Sequence, residues 1–111
     1  NVETIARTQG LIEIYIGPSG LGLALGLGPI AFEDPQHVEA VAKIQSVCKA
    51  AGIAAGIHTG SLDYSKRYLK MGFNLVTLGT DSGFMARLAR QELRSARGDT
   101  GVAAVESTGY N

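Results

Sequence analysis

Isoleucines at 12, 14 and 16 alternate with Glu13 and Tyr15, a period of two that predicts a strand with one apolar face. Gly17-Pro18-Ser19-Gly20 ends it abruptly. Glycine admits backbone angles that other residues avoid, and Pro18 fixes its own φ and lacks an N–H donor. A strand that stops in such a loop gathers several peptide N–H groups at one spot. In parallel α/β proteins that spot, the carboxyl end of a strand, is where ligands bind. A plain tight turn leading into a flexible loop is the other reading of the same residues. Leucines at 21, 23, 25 and 27 then share residues 20–28 with glycines at 20, 22, 26 and 28, which predicts an irregular loop or a short, loose helical turn.

The period then changes to 3.6. Asp34 suits an N-cap, Pro35 suits the first helical position, and Val38, Val41, Ile44, Val47, Cys48 and Ala51 form one apolar stripe closed by Gly52. Residues 53–57 are short and largely apolar, as in a strand covered on both faces. His58-Thr59-Gly60 follows, Ser61 caps a second helix with Tyr64, Tyr68 and Met71 on its inner stripe, and Gly72 stops it. Residues 73–78 form the next strand. After Gly79-Thr80-Asp81, Ser82 caps a third helix bearing Phe84, Met85, Leu88, Ala89 and Leu93. At the other end of the chain, Val2, Ile5 and Ala6 have helical spacing and Gly10 reads as their stop. A chain that opens at Asn1, inside an element, is expected to be a piece of a longer one.

A weak repeat joins these parts. Ala51-Gly52-Ile53 and Met71-Gly72-Phe73 each pass from helix stop to strand without a spare residue, and each strand ends in a small polar loop before a capped helix. This is the βα unit of a parallel sheet. The fold class is therefore α/β, with three parallel strands and their helices over residues 1–97 and a tail over residues 98–111. Open edges of such a sheet invite pairing. Either the chain is a small open α/β domain, or it is the last part of a (β/α)8 barrel.

Composition narrows the function. With 10 basic and 10 acidic residues in 111, the formal net charge is zero, which gives no electrostatic case for nucleic acid or an anionic membrane. No apolar run approaches the roughly 20 residues of a membrane span. No signal-peptide pattern occurs, and the single cysteine excludes an internal disulfide, so a reducing cytoplasm is the expected setting.

Ile14-Tyr-Ile-Gly-Pro-Ser-Gly-Leu-Gly-Leu-Ala-Leu-Gly26 resembles the HpcH/HpaI aldolase/citrate lyase family. Its members carry a strand ending in Gly-Pro-(Ala/Ser)-Asp-Leu, then small and leucine residues and a Gly. The likeness continues through Asp34-Pro35, Cys48-Lys-Ala-Ala-Gly52, Arg67-Tyr-Leu-Lys-Met-Gly-Phe73 and Val76-Thr-Leu-Gly-Thr-Asp-Ser82, over residues 1–97. It implies the C-terminal part of a (β/α)8 TIM barrel, around strands six to eight. It implies a carbon–carbon lyase, a class II aldolase acting on pyruvate or other 2-oxo acids and an aldehyde, with a divalent Mg or Mn cofactor. It also implies a homo-oligomer, or association with the remaining N-terminal part of the barrel.

The resemblance assigns substrate binding to Gly17, Pro18, Ser19 and Gly20, with the peptide N–H groups of Ser19 and Gly20 on the pyruvate carboxylate. The family's Asp at that turn is a metal ligand, and its place is taken by Gly20, which has no side chain to ligate. The second ligand, a Glu on the preceding strand, falls before Asn1, as do the catalytic His and the Arg that stabilises the enolate. Glu3, on the entering helix, is not that ligand. No catalytic residue and no metal ligand is therefore expected here. An enolate beside a carboxylate needs a Lewis acid, and Mg²⁺ binds through carboxylates. The chain alone is expected to be inactive.

Other residues carry smaller expectations. His58 shapes an aldehyde pocket or is a satisfied or solvent-facing histidine. His37, in a first helical turn, is expected on the surface. Cys48 is expected to be a buried, inert thiol. Asp81 binds at the barrel mouth or caps a helix. Arg87, Arg90, Arg94 and Arg97 form a solvated helix face or a subunit contact. Two other functions stay open. One is a non-catalytic, oligomer-forming relative, which Gly20 favours. The other is a nucleotide-binding α/β domain, although Gly17-x-x-Gly20-x-Gly22 lacks the dinucleotide spacing and no lysine makes a P-loop.

Overall fold

The computed structural model describes residues 1–98. Three parallel strands, β1 (Glu13–Ile16), β2 (Ala54–Ile57) and β3 (Leu75–Val76), lie in the order β1-β2-β3. Helix α1 (Val2–Ala6) precedes β1, and α2 (Pro18–Ala24) and α3 (Pro35–Ala51) lie between β1 and β2. Helix α4 (Leu62–Lys70) joins β2 to β3, and α5 (Asp81–Arg97) follows β3. These are the three βα units the periodicity predicts. The tail read beyond Gly98 lies outside the described residues.

Period two decides which face of the sheet is covered. Ile14, Ile16, Ala55 and Ile57 point to the helices and meet Val41, Cys48, Tyr68 and Phe73 in one core. Burial in this core pushes the Cys48 thiol up from its ordinary pKa, so it is the inert buried thiol expected. The repeat has a geometric basis. Gly52 and Gly72 adopt φ of 73° and 97°, and Ile53 N–H and Phe73 N–H donate back to Cys48 O and Tyr68 O, each at 3.1 Å. The same left-handed stop launches β2 and β3.

Several boundaries move. Helix α1 ends at Ala6, not at Gly10, because Arg7 N–H and Thr8 N–H already turn back to Thr4 O and Ile5 O. Residues 20–28 resolve the open alternative in favour of a helix, which runs to Ala24. The strand read over 73–78 shortens to Leu75–Val76. Its flanks still pair, since Asn74 N–H donates to Ala55 O at 2.8 Å and Asn74 Oδ1 accepts from Ala55 N–H. Ser82 is not the cap of α5. Thr80 Oγ1 accepts from Gly83 N–H at 3.0 Å, so Asp81 becomes the first helical residue, where its charge suits the helix dipole. Val38 and Ala51, at the ends of the α3 stripe, are exposed.

Outside the core, Glu33 Oε1 accepts from Tyr64 Oη at 2.7 Å and from Arg67 Nη1 at 2.8 Å, which ties α4 to the segment before α3. Burial, with the Glu33 carboxylate second, pushes the Tyr64 phenol up to about 12.

The opposite sheet face carries Glu13, Tyr15, Gly56 and Leu75 and has no helix over it among the described residues. Helix α5 likewise exposes Phe84, Met85, Leu88 and Leu93. Apolar area left in water forgoes about 25 cal/mol per Å². At increasing concentration the chain is expected to self-associate, read as a rising weight-average mass in sedimentation equilibrium. A stable monomer with a sharp two-state melt at high concentration would count against this.

Candidate functional site at the carboxyl edge of the sheet

Parallel strands bring three loops to one edge: residues 17–20 after β1, 58–60 after β2 and 77–80 after β3. The first two are joined through the ladder, where His58 N–H donates to Ile16 O at 3.0 Å. The second and third are latched by hydroxyls. Thr77 Oγ1 accepts from Thr59 N–H at 2.7 Å and donates to Thr59 O at 2.8 Å. Ser65 Oγ, buried, lies 2.8 Å from Ser61 O and 2.9 Å from Thr77 O. Sequence reasoning passed over Thr59, Ser65 and Thr77. The available signal was a polar residue at each strand end, next to a capped helix.

The 17–20 loop is the N-terminus of α2. Gly17 is extended (φ −93°, ψ 101°), Pro18 takes the first helical position, and Leu21 N–H makes the first intrahelical bond, to Gly17 O at 2.9 Å. The N–H groups of Ser19 and Gly20 precede that bond and have no acceptor within the helix. Gly17 and Gly20 are exposed, whereas Pro18 and Ser19 are buried. Ser19 Oγ is buried with no hydrogen-bond partner among the described residues. The reading of a plain turn into a flexible loop fails here, because the turn continues into an ordered helix.

His37 is not on the surface. It is 0% exposed, and its Nε2 lies 2.9 Å from Pro18 O. Phe32 closes its other side, edge to face at 5.7 Å. The reason is α2: the helix and the segment after it fold back over the first turn of α3 and cover the position that a solitary helix would expose.

His58 faces the uncovered side of the sheet. Its Nδ1 lies 3.3 Å from Tyr15 Oη and 3.4 Å from Thr77 Oγ1. The Thr77 hydroxyl proton is already directed at Thr59 O, so Nδ1 does not receive it. Gly56 makes room for this arrangement: a β-carbon there would lie 2.7 Å from Tyr15 Cδ2 and 2.6 Å from Glu13 Oε1. The Glu13 oxygen is itself buried without a hydrogen-bond partner among the described residues. Asp81 is exposed in the first turn of α5. Arg87, Arg90 and Arg97 are exposed, Arg94 is half-buried, and Arg87 lies over the Phe84 ring at 5.0 Å.

The residues present do not fit a metal centre. Gly20 contributes no ligand, and no group of three or more His, Cys, Asp or Glu capable of holding a metal occurs among the described residues. Nor is any helix among them long and apolar enough to cross a membrane.

No family model matches the chain. Individual proteins do. It is 34% identical over 98 residues to a hydroxypyruvate/pyruvate aldolase of Rhizorhabdus wittichii, covering 87% of this chain and 39% of that protein. It is 38% identical over 97 residues to a hydroxypyruvate/pyruvate aldolase of Paraburkholderia phytofirmans, covering 86% and 36%. A third relative, 37% identical over 97 residues, is a 5-keto-4-deoxy-D-glucarate aldolase of Klebsiella pneumoniae, with 86% and 37% covered. Among solved structures, an HpcH/HpaI aldolase from Desulfitobacterium hafniense DCB-2 superposes with a TM-score of 0.74 over 99% of this chain and 39% of that one, at 18% identity, a likeness of fold.

The chain belongs to the HpcH/HpaI aldolase family.

It spans 39% of the length of the first of these curated relatives, as its C-terminal βα part. This HpcH/HpaI segment keeps the parallel strands and helices of the TIM-barrel neighbours. The citrate synthase SbnG, at 25% identity and a TM-score of 0.72, shares them too.

Proposed function

We propose that the 17–20 loop holds the carboxylate of a small 2-oxo acid such as pyruvate. In this reading the chain supplies that part of a carbon–carbon lyase barrel. The observation that carries it is the backbone of Ser19 and Gly20 at the carboxyl edge, two N–H groups ahead of the first helical bond, beside the buried and unpartnered Ser19 Oγ. Two N–H donors on one carboxylate make charge-assisted bonds, about twice as strong as neutral ones. The names of the relatives, aldolases of hydroxypyruvate, pyruvate and a keto sugar acid, support the same substrate class. Gly17 and Pro18 set the turn, and Ser19 and Gly20 make the contacts. An aldehyde partner would meet the uncovered sheet face beside Tyr15 and His58.

Bond making or breaking next to the carbonyl requires stabilising an enolate, and a divalent Mg or Mn ion would supply it as a Lewis acid. No step is assigned to such an ion here, because Gly20 leaves the loop without a ligand. The chain alone is therefore read as recognising the oxo acid without cleaving it. Barrel residues outside the chain, or further copies of it, complete the sheet, and a reducing cytoplasm suits its free thiol. A second reading, a non-catalytic relative that forms oligomers, draws on Gly20 and on the exposed apolar residues of α5.

The test is a titration of the ¹⁵N-labelled chain with pyruvate in chelator, repeated with pyruvamide, which lacks the carboxylate. The amide signals of Ser19 and Gly20 are expected to shift saturably with pyruvate, and at least about tenfold more weakly with pyruvamide, the loss of about 1.4 kcal/mol. Equal responses to the two compounds would overturn the reading.

A further inference from the structure

We propose that His37 is a positioning residue for the 17–20 loop, aiming the N–H of Ser19 by holding the carbonyl of Pro18. A carbonyl oxygen can only accept, so the Nε2 that lies 2.9 Å from Pro18 O carries the proton and donates it. His37 thus carries a proton on Nε2, and Nδ1 is the buried nitrogen without a partner among the described residues. The Pro18 carbonyl and the Ser19 N–H belong to one planar trans peptide and point in opposite directions. Fixing the oxygen toward the buried imidazole therefore turns the Ser19 N–H away from it.

The imidazole is itself well fixed. It sits in the first turn of α3, where Asp34 Oδ1 accepts from Gln36 N–H at 2.9 Å. One side of the ring meets Phe32 at 5.7 Å. Another faces Gly22, where an added β-carbon would lie 3.8 Å from His37 Cδ2. A rigid donor on one helix thus orients a peptide at the start of another, 19 positions earlier in the chain. Without that donor the Pro18–Ser19 peptide is held only by the first turn of α2, and the common aim of the two N–H groups loosens. The effect on ligand affinity rests on the carboxylate reading above; the hold on the loop does not.

Three measurements on the native chain and two variants test this. In the native chain the His37 Nε2–H should be visible by ¹⁵N NMR, slow to exchange with solvent, with Nδ1 unprotonated. The opposite tautomer, or rapid exchange of that proton, would overturn the proposal. His37→Phe keeps a ring against Phe32 but removes the donor. His37→Gln restores an N–H. In His37→Phe the Leu21 amide should exchange about tenfold faster, as for loss of one hydrogen bond. The β2 amides should keep their protection, and His37→Gln should recover most of the difference. An unchanged Leu21 amide in a folded His37→Phe variant would refute the role. If His37→Phe does not fold, the ring proton and His37→Gln decide. Pyruvate affinity should fall about tenfold in His37→Phe and return in His37→Gln. If no form binds pyruvate while the exchange pattern holds, the carboxylate reading fails and the positioning role stands.

Discussion

Gly22→Ala is expected to lower the thermal midpoint of the chain by about 10 °C, a cost of about 2 kcal/mol for a domain of this size. Alanine normally favours a helix interior by up to about 1 kcal/mol over glycine. At Gly22 that gain is overridden. The new β-carbon would collide with the carbonyl oxygen of Gly28, a backbone atom that moves only if the segment after α2 moves. That segment is also tied back by Leu27 N–H, which donates to Gly22 O at 2.9 Å. Displacing it would uncover His37. Gly20, two residues earlier in the same helix, provides the control, since an added β-carbon there meets nothing within 4 Å. Gly20→Ala should leave the midpoint unchanged or raise it slightly. Circular dichroism melts of the two variants check the contrast. Equal midpoints would show that residues 26–28 do not pack on α2.

The second large effect is expected at Gly20. Gly20→Asp should strengthen Mn²⁺ binding at the loop by about tenfold, or about 1.4 kcal/mol. The open space around Gly20 accommodates the side chain. A carboxylate in the first helical turn is also favoured by the dipole, by about 0.3–1 kcal/mol. In chelator the same carboxylate would repel an incoming oxo acid, so pyruvate should bind more weakly than to the native chain. With Mn²⁺ present the sign should reverse, because the cation then bridges two anions. Paramagnetic broadening by Mn²⁺ reads the effect directly. Broadening centred on residues 19–21 in Gly20→Asp and absent there in the native chain is the expected result. Identical broadening in both chains would mean that position 20 does not face a metal.

Much of this was legible in the sequence, for local reasons. The alternation of Ile14 and Ile16 in β1, the Asp34-Pro35 helix start and the two Gly stops at 52 and 72 are determined by neighbouring residues and appear where the pattern places them, whereas Ile12 falls just outside the strand and is exposed. What could not be read depends on contacts between distant positions. His37 looked like a surface residue because its helix alone would expose it. Only the return of α2 over that turn buries it and brings it to Pro18. Thr80 displaced Ser82 as the cap of α5, since either residue could offer a hydroxyl and the path of the loop after β3 selected one. The Tyr15–His58–Thr77 group arises from register: β1, β2 and β3 pair so that three separate loops end level. The 17–20 loop itself was visible as Gly-Pro-Ser-Gly, but the direction of its N–H groups was not.

We propose that the 17–20 loop of this HpcH/HpaI segment binds an oxo acid without a metal. The pyruvate titration of the native ¹⁵N-labelled chain, carried out once in chelator and once in excess diamagnetic Mg²⁺, tests this most closely. The same saturable shifts of the Ser19 and Gly20 amides are expected in both, with dissociation constants equal to within about threefold, well under 1 kcal/mol. Shifts that appear only with Mg²⁺, or an absence of response at both amides, would contradict it.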